Sequence, residues 1–434
     1  MAHLRGIASF ASPNLPTEIL STIFLHCADS DGVLNSSNTI DMPLLLTKIC
    51  SGWRSVAINT QSLWSRLFIN IQPNSEHQAT LASTWLERSG ACPLQIYIIW
   101  QTPPFLDSHP VLDIIIQHSY HWRSMFIYLP FAAFNSLYPV RGNLPILSEL
   151  SLGTDDDLIT GAEISDAFED APELRSLECV NLNPDLFIFP WATLTKIPIM
   201  AVDAEDCIDI LHHTFRLENG SFIITHGPSW PSKPPKALQH RRLQELAILT
   251  APFSEGVDTR DVFQFLTLPN LRSLRICNVQ SPLGPALVTF LSRIESLETL
   301  FLRRIAASDQ ELLQVLEMVP YLKHLTVLSS PTMTDHVLDQ LIWKPCEETS
   351  SSSFTLLPKL ETLELSIDAP MGVSLVDLLE SRWDADESDE DAPRVARLKE
   401  VNVVVAGDLE LDIMDELHRL AKAGMKIVIA EASV

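Results

Sequence analysis

"LPNLRSLRICNV" (Leu268–Val279) and "SLETLFLRRI" (Ser296–Ile305) are two copies of one frame. In each, apolar residues stand at positions one, four and six: Leu271, Leu274 and Ile276, then Leu297, Leu300 and Leu302. Positions four and six are two residues apart, the period of a strand with one buried face. The stretch between the copies keeps a different rhythm. "LGPALVTFLSRI" carries apolar residues at helical spacing, as does "SDQELLQVLEMV" (Ser308–Val319) one copy later. The latter offers Ser308 as N-cap and Leu312, Leu313, Leu316 and Val319 as its apolar residues.

The frame returns along most of the chain. It occurs as "LSELSL" from Leu147, "LRSLEC" from Leu174, "LQELAI" from Leu243 and "LKHLTV" from Leu322. Further copies are "LETLEL" from Leu360 and "LKEVNV" from Leu398, with weaker ones at Trp122, Leu194 and Leu217. The clear middle copies recur about every 26 residues, the spacing of leucine-rich repeats. A strand–loop–helix–loop unit of this size cannot bury its apolar face alone, whereas stacked units share a continuous core. The fold class expected is therefore α/β, as an irregular solenoid over residues 71–434. The alternative is an ordinary α/β sheet domain. A regular repeat carries Asn or Cys at position nine, but here Asp155, Leu182, Ala251, Val279 and Ile305 stand there. The ladder those side chains would form is absent, which predicts irregular curvature. Polar stretches near 345–354 and 384–393 are expected to be surface insertions, and Ser388 before "DED" is a candidate for acid-directed phosphorylation.

Residues 13–70 are of another kind. Pro16 stands at the start of an expected first helix, on which Ile19, Leu20, Ile23, Phe24 and Cys27 share one broad stripe. Pro43 starts a second helix with Leu45, Leu46, Ile49, Cys50, Trp53 and Val56 as its apolar residues. "NTQS" offers the N-cap of a third, followed by Leu63, Trp64 and Leu67. These faces hold more apolar surface than three short helices bury among themselves.

That stretch resembles the F-box, in the divergent form common in fungal proteins. The matching residues are Leu15, Pro16, Glu18, Ile19, Leu20, Ile23 and Phe24, then Leu45, Ile49, Cys50, Trp53, Arg54, Leu63 and Trp64. The resemblance implies a three-helix unit that docks on the Skp linker subunit, and through it on the cullin scaffold, of an SCF ubiquitin ligase. In F-box/leucine-rich-repeat proteins, which the whole chain resembles by pattern, the repeats recognise a substrate protein. Two departures stand out: a long link, Ala28–Met42, and "MPLLL" where an Asp-Leu start is usual. The alternative is a repeat-protein scaffold whose F-box-like helices only cap the solenoid.

The remaining features exclude more than they suggest. The chain has 434 residues and a net charge of -25, which argues against nucleic acid or an anionic membrane as partner. No apolar run is long enough to span a bilayer, and "MAHLRGIASFASPN" is not read as a signal peptide. Seven scattered cysteines without a CxxC pair suit a reducing cytoplasmic or nuclear setting. There is no GxSxG, P-loop or HExxH motif, so no enzyme and no cofactor is expected. His118 with His121, and Cys207 with His212 and His213, have helical spacing but lack a full zinc ligand set. "DADES" starts like an EF-hand loop but has Asp389 at the turn glycine and Val395 at the closing glutamate.

In the strand frame, positions three, five and seven face away from the core. These are Ser273, Arg275 and Cys277, then Thr299, Phe301 and Arg303, then His324, Thr326 and Leu328. Arg275, Phe301 and Arg303, flanked by His324 and Leu328, are the expected substrate-binding patch, suited to an acidic or phosphorylated segment.

Overall fold

The computed structural model describes residues 15–30, 42–72, 76–101, 103, 108–156, 163–227, 237–251, 260–279, 284–329, 333–343, 356–368, 372–383, 395–407, 409 and 411–431. Both polar insertions, with Ser388, lie outside these residues, as does most of the Ala28–Met42 link. The chain forms two compact units, Met1–Thr193 and Leu194–Val434. No helix of the described residues is long and apolar enough to cross a membrane.

The first unit opens with three helices: α1 (Thr17–Ser30), α2 (Met42–Ile49) and α3 (Ser51–Asn59). The carbonyl of Pro16 starts α1 by accepting from the amides of Ile19 and Leu20, both at 3.1 Å. Cys50 caps α3, its Sγ accepting from the Trp53 amide at 3.4 Å. The third expected helix is shorter than its sequence suggests. A single 3-10 turn, Gln61–Trp64, gives way to strand β1 (Arg66–Asn70). Leu67 therefore belongs to the sheet, and the sheet begins inside the segment expected to be wholly helical. The reason is the alternation after Trp64: Leu67, Ile69 and Ile71 are buried, while Arg66, Phe68 and Asn70 are exposed.

After β1 come α4 (Glu76–Ser89), β2 (Leu94–Ile99), α5 (Pro110–Ile116), β3 (Trp122–Tyr128), β4 (Glu149–Gly153) and β5 (Ser176–Val180). β1 to β5 run parallel, each beside its predecessor. Their register aligns Leu67, Ile96, Met125, Leu150 and Leu177 in one buried row, and Ile69, Ile98, Ile127, Leu152 and Cys179 in the next.

In the second unit the strands are β6 (Lys196–Val202), β7 (Asn219–Ile224), β8 (Leu238–Gln239), β9 (Glu245–Thr250), β10 (Leu266–Thr267), β11 (Ser273–Cys277), β12 (Thr299–Arg303), β13 (His324–Leu328), β14 (Thr362–Asp368), β15 (Glu400–Ala406) and β16 (Lys426–Glu431). Leaving aside the small β8–β10 pair, these too lie parallel in chain order. The helices between them are α6 (Ala204–His213), α7 (Arg260–Phe263), α8 (Gly284–Leu291), α9 (Asp309–Glu317), α10 (Asp335–Leu341), α11 (Gly372–Trp383) and α12 (Leu411–Lys422). Leu246, Leu274, Leu300, Leu325, Leu363 and Val401 form one buried row by register, which the half-buried Ile427 ends. Pro198, which has no amide to donate, sits where the β6–β7 register shifts.

Every copy of the frame, strong or weak, is a strand, and the copies are linked in a repeated way. The Arg272 carbonyl accepts from the amides of Glu298 (2.8 Å) and Thr299 (2.9 Å). The Glu298 carbonyl does the same for Lys323 (2.8 Å) and His324 (2.9 Å). In the copies at Leu174, Leu271, Leu297 and Leu322 position eight is a left-handed turn, with φ of 51° at Asn181, 60° at Asn278, 51° at Arg304 and 58° at Ser329. The turn sends position nine inward, so Leu182, Val279 and Ile305 are buried. Apolar packing thus occupies the place of the missing Asn ladder. Ser308 and Glu311 form a full capping box at the start of α9, whose Leu312, Val315 and Leu316 are buried.

Candidate functional site

In the N-terminal helices, the F-box-like residues divide by burial. Phe24, Leu63 and Trp64 are fully interior, so no partner reaches them in this fold. Phe24 packs on Trp53 with ring centroids 5.0 Å apart. Trp64 meets Trp85 of α4 edge-on at 4.8 Å, and its indole N–H donates to the Ala57 carbonyl at 2.8 Å. Arg54 Nε donates to the Thr47 carbonyl at 2.7 Å, fastening α3 to α2. Leu20, Leu45 and Trp53 are half-buried, and Pro16 and Glu18 are exposed.

Four large apolar side chains stay in solvent: Leu15 (43% exposed), Ile19 (49%), Ile23 (42%) and Ile49 (38%). Ile19 and Ile23 are four apart, which puts them on one face of α1, and Leu15 stands two residues ahead of that helix. Single exposed apolar residues are ordinary, whereas several gathered on one short helical unit are less so.

On the sheet of the second unit, the outward positions of β11 to β13 are where the alternation puts them. Arg275 stands opposite Phe301 in register, its guanidinium carbon 4.8 Å from the ring centroid. This is a cation–π contact. Arg275 and Arg303 are exposed, and Phe301, His324 and Leu328 are half-buried. His324 Nδ1 lies 2.7 Å from Thr362 Oγ1, and Thr326 donates to Glu364 at 3.2 Å. Cys277 departs from the expectation: its side chain is buried. Burial pushes its thiol pKa up, while the charges of Arg275 and Arg303 pull it down. Both guanidinium groups therefore act on the same point. Among the described residues neither arginine has an ion-pair partner.

Other sequence-marked groups have structural roles. His118 stands just before the 3-10 turn Ser119–His121, its carbonyl accepting from the His121 amide at 3.0 Å, and is shifted below its usual pKa, chiefly by burial. Cys207 is buried, which pushes its thiol up, whereas His212 and His213 are exposed. Among the described residues no three His, Cys, Asp or Glu side chains are grouped to hold a metal ion.

Two surfaces were not anticipated. In the first unit, Phe68, Tyr97 and Phe126 align by register on the outward face of β1 to β3, with Tyr97 and Phe126 stacked at 5.9 Å. In the second unit, Arg241, Arg242 and Arg272 line a cleft of about 320 Å³ where the chain enters β9 and β11. The sequence signal for the cleft was the doublet "RR" just before the copy at Leu243, one copy ahead of Arg272.

No protein-family model matches the chain, and no curated protein matches it. Among solved structures, a chain of the crystal structure of the Rad7 and Elc1 complex in yeast is similar, with 14% identity and a TM-score of 0.36. The alignment covers 95% of this chain and 92% of that one. A likeness at this level carries no argument about fold or function.

Proposed function

We propose that this chain is the non-catalytic substrate receptor of an SCF-type ubiquitin ligase. In this reading the helices α1 to α3 form a divergent F-box that docks on the Skp linker, and through it on the cullin scaffold. The leucine-rich repeats hold the substrate protein, with Arg275, Phe301, Arg303, His324 and Leu328 as its binding surface. The observation that carries the reading is the solvent-facing set Ile19, Ile23 and Ile49, with Leu15 just ahead of α1, on helices whose own core is already closed by Phe24 and Trp53. Such a set has no internal task, and large apolar anchors commonly carry interface energy.

The second reading, a scaffold in which these helices are a cap, draws on the Trp64–Trp85 contact. That contact joins the helical segment to α4, and the Trp85 indole N–H donates to the Arg66 carbonyl at 2.9 Å. Capping uses the buried face and leaves the exposed set unexplained. Co-purification with the Skp linker separates the two. Ile19→Glu with Ile23→Glu alters only exposed positions, so it should abolish linker capture with the unfolding midpoint unchanged. Retained capture in that folded variant would remove the receptor reading.

A further inference from the structure

On the outward sheet face of the first unit, register sets Phe68, Tyr97 and Phe126 in one line, followed by Ser151 and Glu178. Phe68 is 44% exposed, and Tyr97, Phe126 and Tyr128 are half-buried. Three of these rings order one another. Tyr97 stacks on Phe126 at 5.9 Å, and Phe126 lies within 10° of parallel to Tyr128 at 6.4 Å. Tyr128 is itself fixed at both ends of its side chain. It pairs with Gly153, where an added Cβ would stand 2.5 Å from the ring, so glycine is what lets the ring lie there. Its hydroxyl donates to Asp155 Oδ1 at 2.6 Å, and burial together with that bond pushes its pKa up to about 12. The phenol therefore stays a neutral donor.

Acids frame the rings, and hydroxyl groups aim them. Glu149 accepts from Ser124 Oγ at 2.9 Å, and Glu178 accepts from Ser151 Oγ at 2.9 Å. Ser124 stands two residues before Phe126 on β3, and Ser151 is opposite Phe126 in register. Both carboxylates are thus drawn from β4 and β5 toward β3. Asp155 stands at the other end of the ring pair, beyond Tyr128, and also accepts from Gln101 Nε2 at 3.0 Å. Among the described residues none of these three acids is in an ion pair. Nor does an arginine or lysine of the described residues lie over any of the four rings. Arg66, at the β1 end of the same face, is engaged with Gln95 at 3.1 Å.

Charge and shape select the occupant. Aromatic faces attract a cation, and carboxylates at their margin supply its counter-charge. The second unit holds the completed form of such a contact, with Arg275 lying on Phe301. The first unit has the rings and the acids but lacks the arginine. A guanidinium suits them, because its plane stacks on a ring while its edge forks to carboxylates, whereas an ammonium is compact and strongly hydrated. Extent separates a peptide from a small amine. Neighbouring strands lie about 4.8 Å apart, so the line from Phe68 to Glu178 crosses about 19 Å, the reach of about six extended residues. The net charge of -25 disfavours nucleic acid and anionic membranes on this face.

We infer that the outward face of β1 to β5 docks an extended, arginine-bearing segment of a partner protein, its guanidinium seated on the Tyr97–Phe126–Tyr128 rings between Glu149, Glu178 and Asp155. The full chain, immobilised, is offered three degenerate peptide libraries that differ at one fixed central position, arginine, lysine or alanine. The arginine library should be retained about tenfold better than the alanine library, and better than the lysine library, since it adds ring stacking to a charge-assisted fork. Glu149→Gln with Glu178→Gln should remove most of that preference at an unchanged unfolding midpoint. Phe126→Leu, which keeps an apolar side chain and loses the ring, should bring the arginine library down to the level of the lysine library. Glu295→Gln with Glu317→Gln removes the same charge from exposed positions of the second unit and should leave the preference intact. Equal retention of the three libraries, or a preference that survives the Glu149 and Glu178 pair or Phe126→Leu, overturns the inference. An equal fall in the two glutamate pairs overturns it in favour of bulk attraction to an acidic chain. Binding of free arginine amide without retention of arginine peptides overturns it in favour of a small-cation site. Linker capture enters none of these readouts: its absence would fail the receptor reading and leave this surface standing.

Discussion

Arg382 Nε donates to the carbonyl of Leu341 at 2.9 Å, although the two residues belong to different helices. The same guanidinium donates to the carbonyls of Leu357 (2.9 Å) and Leu356 (2.7 Å). The side chain is fully buried, and burial brings its pKa down to about 10, still well above neutrality. From the last turn of α11 it thus reaches the end of α10 and the chain entering β14 through backbone oxygens. Arg382→Met keeps the length and removes every donor, leaving three carbonyls without their partner. The expected loss is about 2–4 kcal/mol, from unsatisfied buried acceptors. Urea unfolding measures it, and a loss within error of zero would show that water takes over the three oxygens.

The turn position of the frame makes an opposite prediction. Arg304 holds φ at 51°, and a left-handed backbone costs an ordinary side chain about 1–2 kcal/mol. Its side chain is exposed, and its amide donates to the Leu328 carbonyl at 3.0 Å, a bond that any residue but proline keeps. Asn278 occupies the same place one copy earlier, and Asn tolerates this conformation. Arg304→Asn should therefore raise stability by about 0.5–1 kcal/mol. Asn278→Ala should lower it by a similar amount. Thermal unfolding of both variants checks the sign, and a drop on Arg304→Asn contradicts the argument.

These cases show where the sequence was legible. The strands were, because every copy keeps apolar residues at positions one, four and six, and burial needs both faces of that rule. The capping box of Ser308 and Glu311 was half legible, since its serine stands just ahead of a helical run. β1 was not: Leu63, Trp64 and Leu67 fall at helical spacing, and the strand alternation begins only at Leu67. The left-handed turns at Arg304 and Ser329 carry no residue signal, because backbone bonding and an inward position nine impose them. The split between docking and core residues in the N-terminal helices was also hidden. Phe24 and Ile23 are neighbours of the same character, and only packing decides that one is buried and the other exposed. The arginine cleft depends on register between separate copies, which no single window contains.

The buried His240 gives the second unit a defined response to acid. Burial holds its pKa below the ordinary 6.5, and the hydrogen bond to Thr214 offsets part of that. The unfolded chain takes up a proton near 6.5 that the folded chain refuses. Stability from this group is therefore complete above that pH and falls as pH drops toward the lowered native value. His109 and His118 are shifted in the same direction, chiefly by burial, and add to the fall in the whole chain. Unfolding free energy should decline between about pH 7 and pH 5.5, and less steeply in His240→Gln. Identical slopes in parent and variant would remove His240 from the account.

The outward patch on β11 and β12 has both a binding test and an internal reporter. Arg275→Glu with Arg303→Glu reverses two exposed charges that have no ion-pair partner among the described residues. Substrate capture from cell extract should be lost while linker capture persists, since the substitutions lie in the second unit and α1 in the first. Cys277 reports whether the local field changed as intended. Its thiol is raised by burial and lowered by these two guanidinium groups, so replacing both with carboxylates should raise it further. Thiolate is the reactive form. Site-resolved alkylation of Cys277 should then be slower at a given pH, with its pH profile displaced upward. A displaced profile with unchanged substrate capture would show that the charges were reversed and that recognition lies elsewhere. Phe301→Ala separates the remaining contribution: it removes the ring under Arg275 without altering charge. It should weaken capture by about tenfold, the scale of an aromatic anchor.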